Sequence, residues 1–101
     1  MRTLLERPAT VKAARIDANQ TAIVSALRAA GASVYIVGRP LDLLISKAGK
    51  TMLIEVKNPN SKYGKSGLNK IQQEFVASWQ GMWAMVDGAE AALRALKAME
   101  S

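Results

Sequence analysis

The stretch PLDLLISKAGKTMLIEVK, residues 40–57, decides the fold. Leu41, Leu43 and Ile45 alternate with Asp42 and Leu44. Met52, Ile54 and Val56 alternate with Leu53, Glu55 and Lys57. A period of two predicts strands over Leu41–Ser46 and Thr51–Lys57. Lys47-Ala48-Gly49-Lys50 between them reads as a tight turn, with Gly49 the permissive residue. The two apolar trios share one face when Ile45 pairs with Met52, Leu43 with Ile54 and Leu41 with Val56. That register sets Asp42 opposite Glu55, with Cβ atoms about 4.5–5.5 Å apart. Lys57 follows two residues on, on the same face. A glycine bulge would slip the pairing by one and turn Asp42 to the other face.

Before the hairpin, Asp17 and Gln20 form a capping-box pattern that opens a helix. Ile23, Val24 and Leu27 are its apolar stripe, Gly31 stops it, and Gln20 lies on the stripe's face. Ala32–Val37 is β-branched and aromatic, hence a strand. After the hairpin, residues 58–67 form a polar Gly/Pro/Asn-rich loop. Asn69 caps a helix with Ile71, Phe75, Val76 and Trp79 inward, and Gly81 ends it. Met82–Val86 is a fourth strand. Asp87 and Glu90 form a second capping-box pattern, opening a helix with Leu93 and Leu96 inward. The order αβββαβα predicts an α/β fold with a mixed central sheet flanked by helices. Residues 1–16 show no clean period and hold three arginines. They read as a basic N-terminal arm preceding a domain over 17–101.

The composition narrows the chemistry. The chain has 101 residues, no Cys and no His. It therefore has no disulfide, thiol nucleophile, cysteine zinc site or Ser-His-Asp triad. Catalysis is left to carboxylates, lysine or tyrosine, with or without a hard metal such as Mg²⁺. Its apolar runs are far short of the ~18 residues of a membrane span, and no signal peptide is evident, so the expected location is cytoplasmic. The net charge is +6, but residues 1–70 hold twelve Lys and Arg against four acids. Such one-sided charge suits a polyanion partner, although a basic soluble domain accounts for it equally well.

Two opposed carboxylates repel at neutral pH, and a divalent cation removes that cost. Mg²⁺ needs few protein oxygens beyond water and substrate phosphate. Lys57 beside it is suited to position or deprotonate a water, or to stabilise developing charge. The bland reading is a solvated sheet face with turn chemistry at Asp42. Gln20 and Gln72 each stand third after a cap residue, so capping alone accounts for both.

Pro40-Leu41-Asp42, then Glu55-Val56-Lys57, in this element order resembles the PD-(D/E)xK nuclease superfamily and its restriction-endonuclease-like fold. The run from Asp17 to Leu96 resembles the small phage and bacterial VRR-NUC nucleases. The pieces are DANQTAIVSALRAAGASV, PLDLLI, LIEVK, LNKIQQEFVASWQG and VDGAEAAL. The resemblance implies that Asp42 and Glu55 bind Mg²⁺ or Mn²⁺, with the Val56 carbonyl as a further ligand, and that Lys57 is the catalytic lysine. It implies that Gln72 is the family's helix glutamine and that Gln20 stands near the metal. Helical phase favours Gln72 over the adjacent Gln73. Leu41 splits the family's Pro-Asp pair, and a neutral Gln20 leaves a second metal open.

The implied activity is endonucleolytic hydrolysis of phosphodiesters in DNA, structure-specific on branched substrates in the manner of Holliday-junction resolvases. The implied assembly is a homodimer, in a bacterial cell and of phage or host origin. Lys62, Tyr63, Lys65 and Lys70, with Arg39 in the Gly38-Arg39-Pro40 break, are the candidate DNA contacts. Lys62, Tyr63 and Lys65 fit a solvated loop equally well. The alternatives are a non-catalytic basic DNA-binding or interaction module on the same fold, and a single-strand or RNA nuclease.

Overall fold

A computed structural model of the chain describes residues 18–58 and 67–101. Asp17, the arm over residues 1–16, and Lys62, Tyr63 and Lys65 lie outside the described residues. The described chain is an α/β fold of three helices and one four-stranded mixed sheet. In chain order these are α1 (Ala18–Ala29), β1 (Ser33–Ile36), β2 (Leu43–Lys47), β3 (Lys50–Val56), α2 (Lys70–Ser78), β4 (Met82–Val86) and α3 (Ala89–Glu100). Strand order follows chain order, with β1, β2 and β3 antiparallel and β4 parallel to β3. No described helix is long and apolar enough to cross a membrane.

The hairpin register is the one that buries both apolar sets. Leu43 pairs with Ile54 and Ile45 with Met52. The turn holds Ala48 at φ 55° and Gly49 at φ 82°. Two left-handed residues in a two-residue turn match the right-handed twist of the flanking strands.

The ladder begins two residues after the expected strand start, at Leu43 rather than Leu41. Asp42 N–H donates to the Ile54 carbonyl at 3.0 Å, not to Glu55, and the Asp42 carbonyl accepts from Val37 and Gly38. Leu41 and Asp42 therefore belong to the approach to β2. Leu41 is still fully buried.

One sheet face forms the core. Leu43, Ile45, Met52, Ile54 and Val86 pack with Ile23, Val24 and Leu27 of α1 and Ala92, Leu96 and Met99 of α3. Each fully buried Leu or Ile there contributes about 1.5–3 kcal/mol. Asn69 caps α2 in a complete capping box with Gln72.

The expected inward stripe of α2 is not buried. The helix has no buried residue, and Ile71 is 73% exposed. Periodicity marked its apolar side, but among the described residues that side is only partly covered: Phe75 and Val76 are half-buried, while Ile71 and Trp79 stay exposed. Leu93 likewise points outward, at 39% exposure, and Ala92, Leu96 and Met99 take the inner face of α3. The Asp87–Glu90 box does not form, because Gly88 occupies the cap with no side-chain bond. Asp87 therefore stands one residue too early to cap.

Trp79, past the end of α2, stacks on Phe75 and donates its Nε1–H to the Met82 carbonyl at 3.1 Å. A Cβ at Gly81 would lie 2.7 Å from the Trp79 ring. Glycine is needed there for the close approach rather than for its backbone angles.

Candidate functional site

The second sheet face carries the polar chemistry. Pairing places Tyr35, Leu44, Leu53 and Trp83 in one row across the strands, and Glu55 beside Met85 in the next. Alternation along β3 puts Glu55 on the face opposite Ile54. Glu55 is 6% exposed, one of the few buried polar residues in the described chain.

Three elements converge on Glu55-Val56-Lys57. From the approach to β2, Asp42 Oδ2 accepts the Val56 N–H at 2.8 Å. From β4, the Val86 carbonyl accepts the Lys57 N–H at 2.8 Å. From the first turn of α1, Asn19 Nδ2 donates to the carbonyls of Lys57 (3.1 Å) and Asp87 (3.2 Å). The Lys57 amino group lies 3.2 Å from Glu55 Oε2. Asp42, Glu55 and Lys57 thus come together, although Asp42 reaches the group by its side chain from outside the ladder.

Burial and the nearby charge of Asp42 push the Glu55 carboxyl above its ordinary value, against the opposing pull of Lys57. Glu55 Oε1 is buried with no hydrogen-bond partner among the described residues. A buried acceptor left unsatisfied costs about 1–3 kcal/mol, more for a charged group. Two close carboxylates and an oxygen with an unused lone pair are features that would suit a hard cation. The described residues hold no cluster of three or more Asp, Glu, His or Cys side chains. A cation bound here would have two carboxylates, with backbone oxygen and water to complete its shell. That donor set fits Mg²⁺ or Mn²⁺ and not a zinc cage.

Gln72 does two things. Its backbone N–H and side-chain oxygen complete the capping box with Asn69, and its Nε2 donates to the Pro40 carbonyl at 3.0 Å. It therefore ties the start of α2 to the chain two residues before Asp42. Gln73 donates its side-chain amide to the nearby Leu68 carbonyl at 2.8 Å. Gln20 is buried on the α1 side that carries Ile23, Val24 and Leu27, one residue from Asn19. Arg39 and Lys70 are both exposed, one beside Pro40 and one opening α2. Val56 is half-buried, one residue from each of Glu55 and Lys57.

Asn19 was not legible as a site residue. Beside Asp17 and Gln20 it is one more polar residue at a helix start, and only the packing of α1 across the ends of β3 and β4 gives it partners. Compared with known proteins, the chain matches no family model, no curated protein and no solved structure.

Proposed function

We propose that the chain is a metal-dependent DNA endonuclease that hydrolyses phosphodiester bonds through Asp42, Glu55 and Lys57. The observation that carries the reading is the buried Glu55 carboxylate, its Oε1 without a partner, between the Asp42 carboxylate and the Lys57 ammonium. The element order and the Pro40-Leu41-Asp42, Glu55-Val56-Lys57 spacing support it through their resemblance to the PD-(D/E)xK nucleases and their restriction-endonuclease-like fold. The surplus of basic residues over 1–70 suits a polyanionic substrate.

In this reading Asp42 and Glu55 hold Mg²⁺ or Mn²⁺, with the Val56 carbonyl as a further oxygen. The bound cation supplies positive charge at the scissile phosphate and acidifies a water. Asp42 also holds the Val56 amide, so it fixes the strand that carries its partner. Glu55 holds Lys57 at the site. The Lys57 ammonium donates hydrogen bonds to the attacking water or to the phosphate oxygens, where negative charge grows as the bond to phosphorus forms. Gln72 fixes the Pro40 carbonyl and so the approach that places Asp42. Gln20 backs the site from α1. Arg39 and Lys70, with Lys62, Tyr63 and Lys65 from the sequence between β3 and α2, hold the DNA backbone.

Branched DNA is the substrate that the resemblance to small stand-alone nucleases suggests, and symmetric cutting of its strands with one site per chain suits a C2 homodimer. Its setting is the bacterial cytoplasm. The test is a substrate panel of four-way junction, linear duplex, single-stranded DNA and RNA, each with Mg²⁺ and with EDTA. The expected result is Mg²⁺-dependent cutting, fastest on the junction. Faster cutting of RNA or single strands would reassign the substrate, and no cutting of any would refute the activity.

A further inference from the structure

We infer that Asn19 is a positioning residue of the carboxylate–lysine site, its side-chain amide holding the chain in place where it leaves β3 past Glu55. The inference rests on the nuclease reading above and extends it to a residue with no assigned role.

The geometry is a clamp across two strand ends. A side-chain amide has two N–H donors, and Asn19 Nδ2 places them on two carbonyls, those of Lys57 and Asp87. Both partners can only accept, which fixes the amide nitrogen rather than the oxygen toward them. The two carbonyls terminate β3 and β4, the parallel pair whose last link is Lys57 N–H to Val86. The Lys57 peptide is thereby held on both sides, by β4 through its nitrogen and by α1 through its oxygen. Glu55-Val56-Lys57 is tied to the Asp42 approach, β4 and α1 in turn. Of these three ties, the one from Asn19 comes from outside the sheet and its approach.

Helix capping does not account for this residue. The first turn of a helix offers free N–H groups and selects acceptors and acids. No acid occupies the first turn of α1, and Asn19 directs donors away from the helix. It is only half-buried and adds nothing to the apolar core. What it does hold is the backbone of the residue whose ammonium sits 3.2 Å from Glu55. Loss of a bond to a metal ligand itself costs about 10–100-fold in affinity or activity; Asn19 acts one residue further out, on the Lys57 carbonyl next to the Val56 oxygen, so the low end of that range applies.

The test compares wild type, Asn19→Ala and Asn19→Gln in the full chain. Alanine is the better helix former, so Asn19→Ala removes the donors without weakening α1 itself. Glutamine keeps the donors on a longer arm. Three quantities are read: Mn²⁺ affinity by calorimetry without DNA, single-turnover cleavage of a four-way junction at saturating Mg²⁺, and junction affinity in EDTA. The expected result for Asn19→Ala is Mn²⁺ affinity and cleavage rate each reduced about tenfold or more, with junction affinity within about twofold of wild type and part of both losses restored in Asn19→Gln.

Wild-type Mn²⁺ affinity and rate in Asn19→Ala would overturn the inference and leave the nuclease reading intact. A loss that vanishes when the assay is cooled well below the thermal midpoint would mark a purely structural tie, and would also overturn it. Asn19-dependent Mn²⁺ binding in a chain that cuts no substrate would uphold the clamp and remove the nuclease reading.

Discussion

The two faces of the sheet are built to different ends. On one, Leu43, Ile45 and Ile54 are fully buried against Ile23 and Leu27, and two helices close the layer. On the other, Tyr35 and Met85 remain exposed, α2 buries no residue, and a carboxylate sits buried beside a second one. The first face supplies the stability that the second gives up. A buried acid with an unpartnered oxygen is unfavourable in isolation and persists where the surroundings are rigid enough to hold it. Here the rigid surroundings are the other side of the same two strands.

The largest expected effect lies in stability across the two faces. Ile54→Ala or Ile45→Ala should cost about 2–5 kcal/mol, whereas Met85→Ala or Tyr35→Ala should cost under about 1 kcal/mol. Urea midpoints at fixed pH measure both sets. Equal losses would show that the second face stabilises the fold as much as the first and would break the contrast.

A smaller effect concerns the carboxylate itself. Glu55 is held above its ordinary value of 4.5 in the folded chain. Below that value it is protonated in both states and adds no pH dependence. As pH rises past it, the unfolded chain ionises first, and the folded chain loses stability until its own Glu55 ionises. In EDTA, wild type should therefore lose stability as pH climbs above about 4.5, and Glu55→Gln should flatten that slope and be the more stable at neutral pH. Saturating Mg²⁺ should reverse the order, adding about 2.7 kcal/mol to wild type at a hundredfold excess over Kd. Identical pH profiles for the two proteins would remove the burial argument for the site.

The smallest effect on stability is expected at Arg39 and Lys70, exposed beside the chain that leads to Asp42. Arg39→Glu and Lys70→Glu should leave the unfolding free energy from urea titration within about 0.5 kcal/mol of wild type. Each should lower DNA affinity and reduce its salt slope by about 0.9 for every phosphate no longer neutralised. An unchanged salt slope would remove both residues from the DNA surface.

How far the sequence could be read follows the same divide. The core face was legible because alternation over residues 41–56 favours pairing Leu43 with Ile54 and Ile45 with Met52, and both pairs are observed, although the ladder ends there and Leu41 does not pair with Val56. The pairing of Asp42 with Glu55 was legible as proximity but not as geometry. The Asp42 amide goes to Ile54 and its carboxylate to Val56, a local departure that alternation does not encode. Helical period identified the apolar side of α2 but not that Ile71 would lack cover, since period measures sidedness and not the presence of a neighbour. In α3 it set Leu93 beside Leu96 on the inner face, which Ala92, Leu96 and Met99 take instead. The two capping-box patterns illustrate the same limit. Asn69 and Gln72 close one, while Gly88 displaces Asp87 by a single residue and leaves the other open. Asn19 needed the tertiary fold altogether, its partners standing 38 and 68 residues away.

The central claim is that Asp42, Glu55 and Lys57 form one metal-dependent cutting site. Nicking of supercoiled plasmid by wild type, Asp42→Asn and Glu55→Gln, each with Mg²⁺ and with EDTA, tests it most directly. The account predicts nicking by wild type only with Mg²⁺, and rates lower by on the order of a hundredfold or more in both variants with DNA binding retained. Mg²⁺-dependent nicking near the wild-type rate in either variant would contradict it.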